Sequence, residues 1–113
     1  MKVVKRFTFD SAHYLPNYNG KCKQMHGHTY MLDVIIDGKI NQDTGMIVDF
    51  HDIDFIVNRK VLSDIDHHCL NDIIENPTAE NVVIYILEKL KKEFRDFKIT
   101  LRLWESQSSY VEV

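Results

Sequence analysis

Apolar and polar positions alternate in two stretches near the start of this 113-residue chain. In the first, Val3, Phe7 and Phe9 share one side of a strand, and Asp10-Ser11-Ala12-His13 continues or bends it. Pro16-Asn17-Tyr18-Asn19-Gly20 reads as a loop. From Gly27 the alternation resumes, with Tyr30, Leu32, Val34 and Ile36 on one side and Met31, Asp33 and Ile35 on the other. Asp37-Gly38-Lys39 and Asp43-Thr44-Gly45 mark turns, and Met46-Ile47-Val48 leads into Asp49. The period then lengthens. Ile53, Ile56, Val57 and Val61 fit one face of a helix that ends before the Asp64–Asn71 region. Pro77-Thr78 opens a second helix, with Thr78 as its cap, Glu80 in its first turn and an apolar stripe from Ala79 to Phe94. Ile99, Leu101 and Leu103 return to strand alternation, and Ser106-Gln107-Ser108-Ser109 turns into a last strand, Tyr110–Val113.

The predicted order is ββααββ across a single domain, residues 1–113. That is the grammar of an α+β fold in which two helices cover one face of a four-stranded antiparallel sheet. Met31, Ile35 and Trp104 make the other face more apolar than water requires, and an open sheet leaves two edges. Both features predict a homo-oligomer.

Composition narrows the classes without changing this picture. With 44% hydrophobic and 27% charged residues, and a net charge of −3, the chain reads as an ordinary globular domain. No basic block points to a nucleic-acid partner, and no apolar run is long enough to cross a bilayer. The first residues, Met1-Lys2-Val3-Val4-Lys5-Arg6, lack a secretory signal's apolar segment. The expected location is therefore the cytoplasm, with Cys22 and Cys69 reduced.

Candidate chemistry gathers around Cys22-Lys23-Gln24-Met25-His26-Gly27-His28, with His13 upstream. His26 and His28 are two apart and share the parity of Tyr30, so a strand sends both rings to one side. A third imidazole from a neighbouring strand would make a three-nitrogen cradle suited to zinc, with a fourth position open for chemistry. The bland alternative makes His13 a loop residue and the pair a strand-end cap. Cys22 is either a small buried apolar side chain or, given its polar flanks and Lys21 and Lys23, a thiolate. Asp64-Ile65-Asp66-His67-His68-Cys69-Leu70-Asn71 is too polar for packing alone. It admits an aspartate–histidine proton relay, a second metal site or a plain surface loop, and adjacent His67 and His68 would point different ways. Glu105, on the Leu103 side of its strand, must be paired, protonated or bound to something; an amidine-like N–H/NH₂ edge of a heterocycle fits it.

Several of these segments, taken together, match a known family. They are Phe9-Asp10-Ser11-Ala12-His13, Cys22-x-x-x-His26-Gly27-His28, Gly45-Met46-Ile47-Val48-Asp49-Phe50, Asp66-His67-His68-x-Leu70-Asn71, Asn76-Pro77-Thr78-Ala79-Glu80-Asn81 and Trp104-Glu105. In this order and over essentially the whole chain they resemble the 6-pyruvoyl-tetrahydropterin synthase family. The resemblance implies a tunnelling fold whose trimers join their sheets into a barrel and stack as hexamers, with sites between subunits. It implies zinc on His13, His26 and His28, Cys22 as base, Asp66 with His67 as relay, and Glu105 as pterin anchor near Thr78, Ala79 and Glu80. The three-residue gap between Cys22 and His26 matches the branch that makes the queuosine precursor 6-carboxy-5,6,7,8-tetrahydropterin from 7,8-dihydroneopterin triphosphate. His51-Asp52-Ile53-Asp54 departs from the family's usual Leu-Lys pattern on the first helix. Lys21, Lys23 and Arg6 are the candidates for holding the triphosphate.

Overall fold

The computed structural model describes all residues, 1–113. Two long antiparallel strands, β1 (Lys2–His13) and β2 (His26–Asp37), form its spine. Their register runs from Lys2 opposite Asp37 to His13 opposite His26, so one end of the ladder carries the histidines. β1 is unbent through Asp10-Ser11-Ala12-His13. The alternation decides which side chains are buried: Phe7, Phe9, Ser11 and His13 from β1, and Tyr30, Leu32, Val34 and Ile36 from β2.

β2 also pairs with β4 (Lys98–Ser106), which turns back into the edge strand β5 (Ser109–Glu112). The sheet departs from expectation at its other edge. A two-residue strand, β3 (His68–Cys69), lies parallel to β1, giving five strands in the order β3-β1-β2-β4-β5. The sheet is therefore mixed and not purely antiparallel. A pair of residues inside a polar run carries no alternation, so the pattern had nothing to reveal it.

The helices cover one face. α1 (Phe50–Val57) is capped by the Asp49 carboxylate, which accepts from the His51 amide. It passes through a π-helical stretch, Asn58–Leu62, into one last α turn, α2 (Ser63–Ile65). Ile53, Val57, Val61 and Ile65 are all fully buried. Their spacing of four would drift roughly 40° per step round a regular α-helix, and the wider π turn returns part of that angle. α3 (Ala79–Leu90) starts at Thr78, whose hydroxyl accepts from the Asn81 amide, and buries Val82, Val83, Ile86 and Leu90. These side chains meet the inner face of the sheet in one apolar core.

The connection between β2 and α1 is built on Asn41, whose side-chain oxygen accepts from the amides of Asp43 and Thr44. Gly45 completes that turn at φ 72°, a left-handed conformation that suits glycine. On the sheet's far face, polar and aromatic groups gather over Asp33. Asp33 is buried under Arg6, which grips it with two bonds of 2.6 and 2.9 Å, and the Trp104 indole N–H donates to it at 3.2 Å. Trp104 packs on Tyr110, and Arg102 pairs with Glu112. No helix is long and apolar enough to cross a membrane.

Candidate metal centre and flanking cavities

Three imidazoles converge where the β1–β2 ladder ends. His13 and His26 are cross-strand partners, and His28 faces Ser11 two pairs further in. Ring centroids lie 4.5 Å apart for His13–His26, 4.9 Å for His26–His28 and 5.1 Å for His13–His28. Backbone carbonyls fix two of the rings. His13 Nδ1 donates to the Pro77 carbonyl at 2.8 Å, and His26 Nδ1 donates to the Gln24 carbonyl at 2.7 Å. A carbonyl can only accept, so each neutral ring carries its proton on Nδ1 and a bare lone pair on Nε2. Yet those two Nε2 atoms face each other at 3.0 Å. His28 Nε2 is buried with no hydrogen-bond partner.

Bare nitrogens pressed together are repulsive unless a cation sits among them. Two nitrogens on a tetrahedral zinc, each ~2.0–2.1 Å from the ion, would stand roughly 3.3 Å apart. The donor set and spacing therefore fit a divalent metal. Burial pushes His28 below the usual imidazole range, Glu105 opposing and the other two rings reinforcing, which favours the neutral ligating form. Tyr30 stands behind His13, with its hydroxyl 3.3 Å from Nδ1, and burial drives its phenol far upward, so it keeps its proton.

Two cavities flank the cradle. One, of about 410 Å³, brings Glu105 together with Thr78, Ala79 and Glu80, against Leu103 and Tyr110. Glu105 reaches it from the end of β4 and the others from the start of α3. Glu105 Oε1 also lies 3.5 Å from His28 Nε2, so the carboxylate joins cavity and cradle. The other cavity, of about 560 Å³, is lined by His28, Asp10, Thr29, His67, His68 and Cys69 among others. His67 and His68 both face it, although neighbours on a regular strand point apart. His67 sits at φ 58°, and that left-handed residue breaks the alternation. Cys69 is half-buried at this wall.

Asp66 and His67 form the expected pair, with Nδ1 to Oδ1 at 2.9 Å. The Asp66 carboxyl is held below its usual range, first by the Asp10 backbone N–H and then by His67. Cys22 lies half-buried in a 3₁₀ turn, Lys21–Lys23, and lines neither cavity. The turn is still coupled to the cradle, because Gln24, which orients His26, donates its amide to the Lys21 carbonyl. Arg6 is paired with Asp33 on the far face of the sheet and lines neither cavity. Lys21 and Lys23 stay exposed beside Cys22.

Other contributors carried no sequence signal of their own. The Asn71 amide accepts from the Tyr14 N–H at 2.9 Å and donates to the Tyr14 carbonyl at 2.8 Å, extending the β1–β3 pairing past His13. The Ser11 hydroxyl donates to the Ile65 carbonyl. Both residues belong to segments noticed for other members, and only the folded geometry gives them a task.

Known proteins are similar throughout the chain. Residues 2–113 match the family model described as 6-pyruvoyl tetrahydropterin synthase. A 6-carboxy-5,6,7,8-tetrahydropterin synthase of Haemophilus influenzae is 32% identical, with 98% of this chain and 96% of that protein aligned. A dihydroneopterin monophosphate aldolase of Pyrococcus furiosus is 34% identical, over 99% and 96%. Among solved structures, the 6-pyruvoyl tetrahydropterin synthase of Caenorhabditis elegans superposes with a TM-score of 0.91 at 25% identity, covering 100% of this chain and 94% of that one. The cradle, the cavities and the similarity along the whole chain agree: this protein belongs to the 6-pyruvoyl tetrahydropterin synthase family.

Proposed function

We propose that this protein is a zinc-dependent lyase that converts 7,8-dihydroneopterin triphosphate and water into 6-carboxy-5,6,7,8-tetrahydropterin, acetaldehyde and triphosphate. The observation that carries the reading is the orphaned His28 Nε2 among three converging imidazoles, 3.5 Å from the Glu105 carboxylate at the mouth of the neighbouring cavity. The similarity to the Haemophilus influenzae enzyme and the three residues between Cys22 and His26 support the 6-carboxy product.

Zinc held by His13, His26 and His28 would supply a Lewis acid for the oxygens of the substrate's side chain. Glu105 accepts the N–H/NH₂ edge of the pterin, and Thr78, Ala79 and Glu80 wall the ring. Cys22 removes a proton from the side-chain carbon, and Asp66 with His67 delivers or removes one on the other face. Cys22 and the Asp66–His67 pair do not share a cavity within one chain, which supports a complete site that takes them from adjacent subunits. That is consistent with a hexamer of two trimers whose sheets close into a barrel. Lys21 and Lys23 are the basic residues left near Cys22 for the triphosphate.

The test is product analysis by mass spectrometry after incubating zinc-loaded protein with 7,8-dihydroneopterin triphosphate. The 6-carboxy compound with stoichiometric acetaldehyde is expected. 6-Pyruvoyltetrahydropterin, formed without side-chain cleavage, would replace this reading with a 6-pyruvoyl-tetrahydropterin synthase. No turnover, with the metal in closed four-ligand coordination, would make the protein a non-catalytic metal-binding oligomer.

A further inference from the structure

We propose that Asp10 is a positioning residue for the Asp66–His67 pair, and that its bond to Thr29 is what fixes it in place. The inference rests on the assignment of Asp66 and His67 as the proton relay, but its geometric content stands on four contacts. The Asp10 backbone N–H donates to Asp66 Oδ1 at 3.0 Å. The His67 N–H donates to the Asp10 carbonyl at 2.6 Å. The Asp10 carboxylate accepts the Thr29 hydroxyl. One of its oxygens also stands within 4.8 Å of an Asp66 carboxylate oxygen and a His67 ring nitrogen.

Strand geometry explains why the side-chain bond matters. In an antiparallel ladder a residue's N–H and C=O point to the same neighbour. Asp10 spends both on Asp66 and His67, away from β2, so its register pair with Thr29 has no backbone bond. At such pairs the side chains come closest, about 4.5 Å between Cα atoms. The carboxylate–hydroxyl bond is therefore the polar link that ties this point of β1 to β2. The ladder continues on either side through Phe9–Tyr30 and Ser11–His28, so losing this bond acts on one pair and shifts the aim of the two backbone groups that hold the relay.

His67 makes the shift consequential. A non-glycine residue at φ 58° is in a sparsely populated conformation that persists only while its surroundings hold it there. Its side chain is 78% exposed, so packing does not hold it. The bonds to Asp10 and Asp66 do. Asp66 belongs to the same arrangement, since the Asp10 N–H is the main reason its carboxyl stays below the ordinary range.

The experiment combines kinetics and crystallography on Asp10→Ala, Asp10→Asn and Thr29→Val in zinc-loaded protein. For Asp10→Ala we expect kcat to fall about 10- to 100-fold, a loss typical of misplaced acid–base groups. KM should stay within about twofold, as expected when an interaction specific to the transition state is lost, and zinc per subunit should be unchanged. The amide oxygen of Asp10→Asn can still accept from Thr29 and should restore most of kcat, whereas Thr29→Val should lose it with Asp10 intact. In the crystal, His67 of Asp10→Ala should leave the left-handed region and separate from Asp66. A kcat within twofold of wild type for Asp10→Ala would overturn the proposal. So would a His67 that keeps its φ and its bond to Asp66 in that variant, and this readout holds even if the wild-type protein makes no pterin product. Loss of kcat in Asp10→Asn equal to that in Asp10→Ala would overturn the role of the Thr29 bond.

Discussion

The metal cradle and the relay segment sit on the same two strands but are held in opposite ways. His13 is buried, its ring is fixed by the Pro77 carbonyl, and every residue of the cradle comes from β1, β2 or their junction. The relay segment is a strap on the sheet edge, with Asp66 39% and His67 78% exposed, anchored by side chain–backbone bonds to Ser11, Asp10 and Tyr14. One region is complete within a single chain and preorganised for a cation. The other has its geometry set but its solvent side open. That contrast predicts that metal binding and turnover are separable in this protein.

The sharpest way to break the comparison is His28→Ala. It removes the ligand whose Nε2 has no other partner, and stoichiometric zinc and turnover should both be lost. Metal analysis after gel filtration checks this, and a full zinc complement would contradict the role given to His28. Next in size is Cys22→Ala, expected to cost at least ~100-fold in kcat with zinc content unchanged, because the cysteine stands outside the cradle. Unchanged turnover would remove Cys22 as the base.

Legibility in the sequence followed the same division. The cradle could be read early because β1 and β2 are long and alternate cleanly, so parity alone put His26 and His28 on the side of Tyr30. The two helices were legible from their apolar stripes, and Thr78 from its position after Pro77. β3 was not, since two residues have no period. The joint exposure of His67 and His68 to one cavity was hidden as well, because it depends on a left-handed backbone at a residue that rarely adopts it. Asp33 was placed only on the face opposite Tyr30, Leu32 and Val34; its burial follows from Arg6 and Trp104 reaching it across the sheet, contacts no local pattern encodes.

Smaller effects are expected away from both regions. The Arg6 bonds hold the Asp33 carboxyl below its ordinary range, with help from Trp104. A carboxyl depressed in the folded state adds stability above its unfolded pKa and loses that contribution as pH falls through the folded value. Wild-type protein should therefore lose stability as pH drops below about 4, and Asp33→Asn should flatten that limb while lowering Tm at neutral pH by roughly 3–6 °C. Thermal melts from pH 3 to pH 7 decide this, and parallel curves for the two proteins would count against it. The smallest change is Gly45→Ala. Nothing lies within 4 Å of the added methyl, so only the left-handed φ penalises it, by about 1 kcal/mol. Urea melts should register that cost, with zinc content and kcat unaltered; a loss of activity would reveal coupling between this turn and the site.

In the proposed site three imidazoles hold the metal and leave one position free, with Cys22 outside the shell. X-ray absorption at the zinc edge on the zinc-loaded protein tests it directly. Three nitrogens and one exchangeable oxygen at ~2.0–2.1 Å, with no sulfur, are expected. A sulfur at ~2.3 Å, or fewer than three histidine nitrogens, would contradict it.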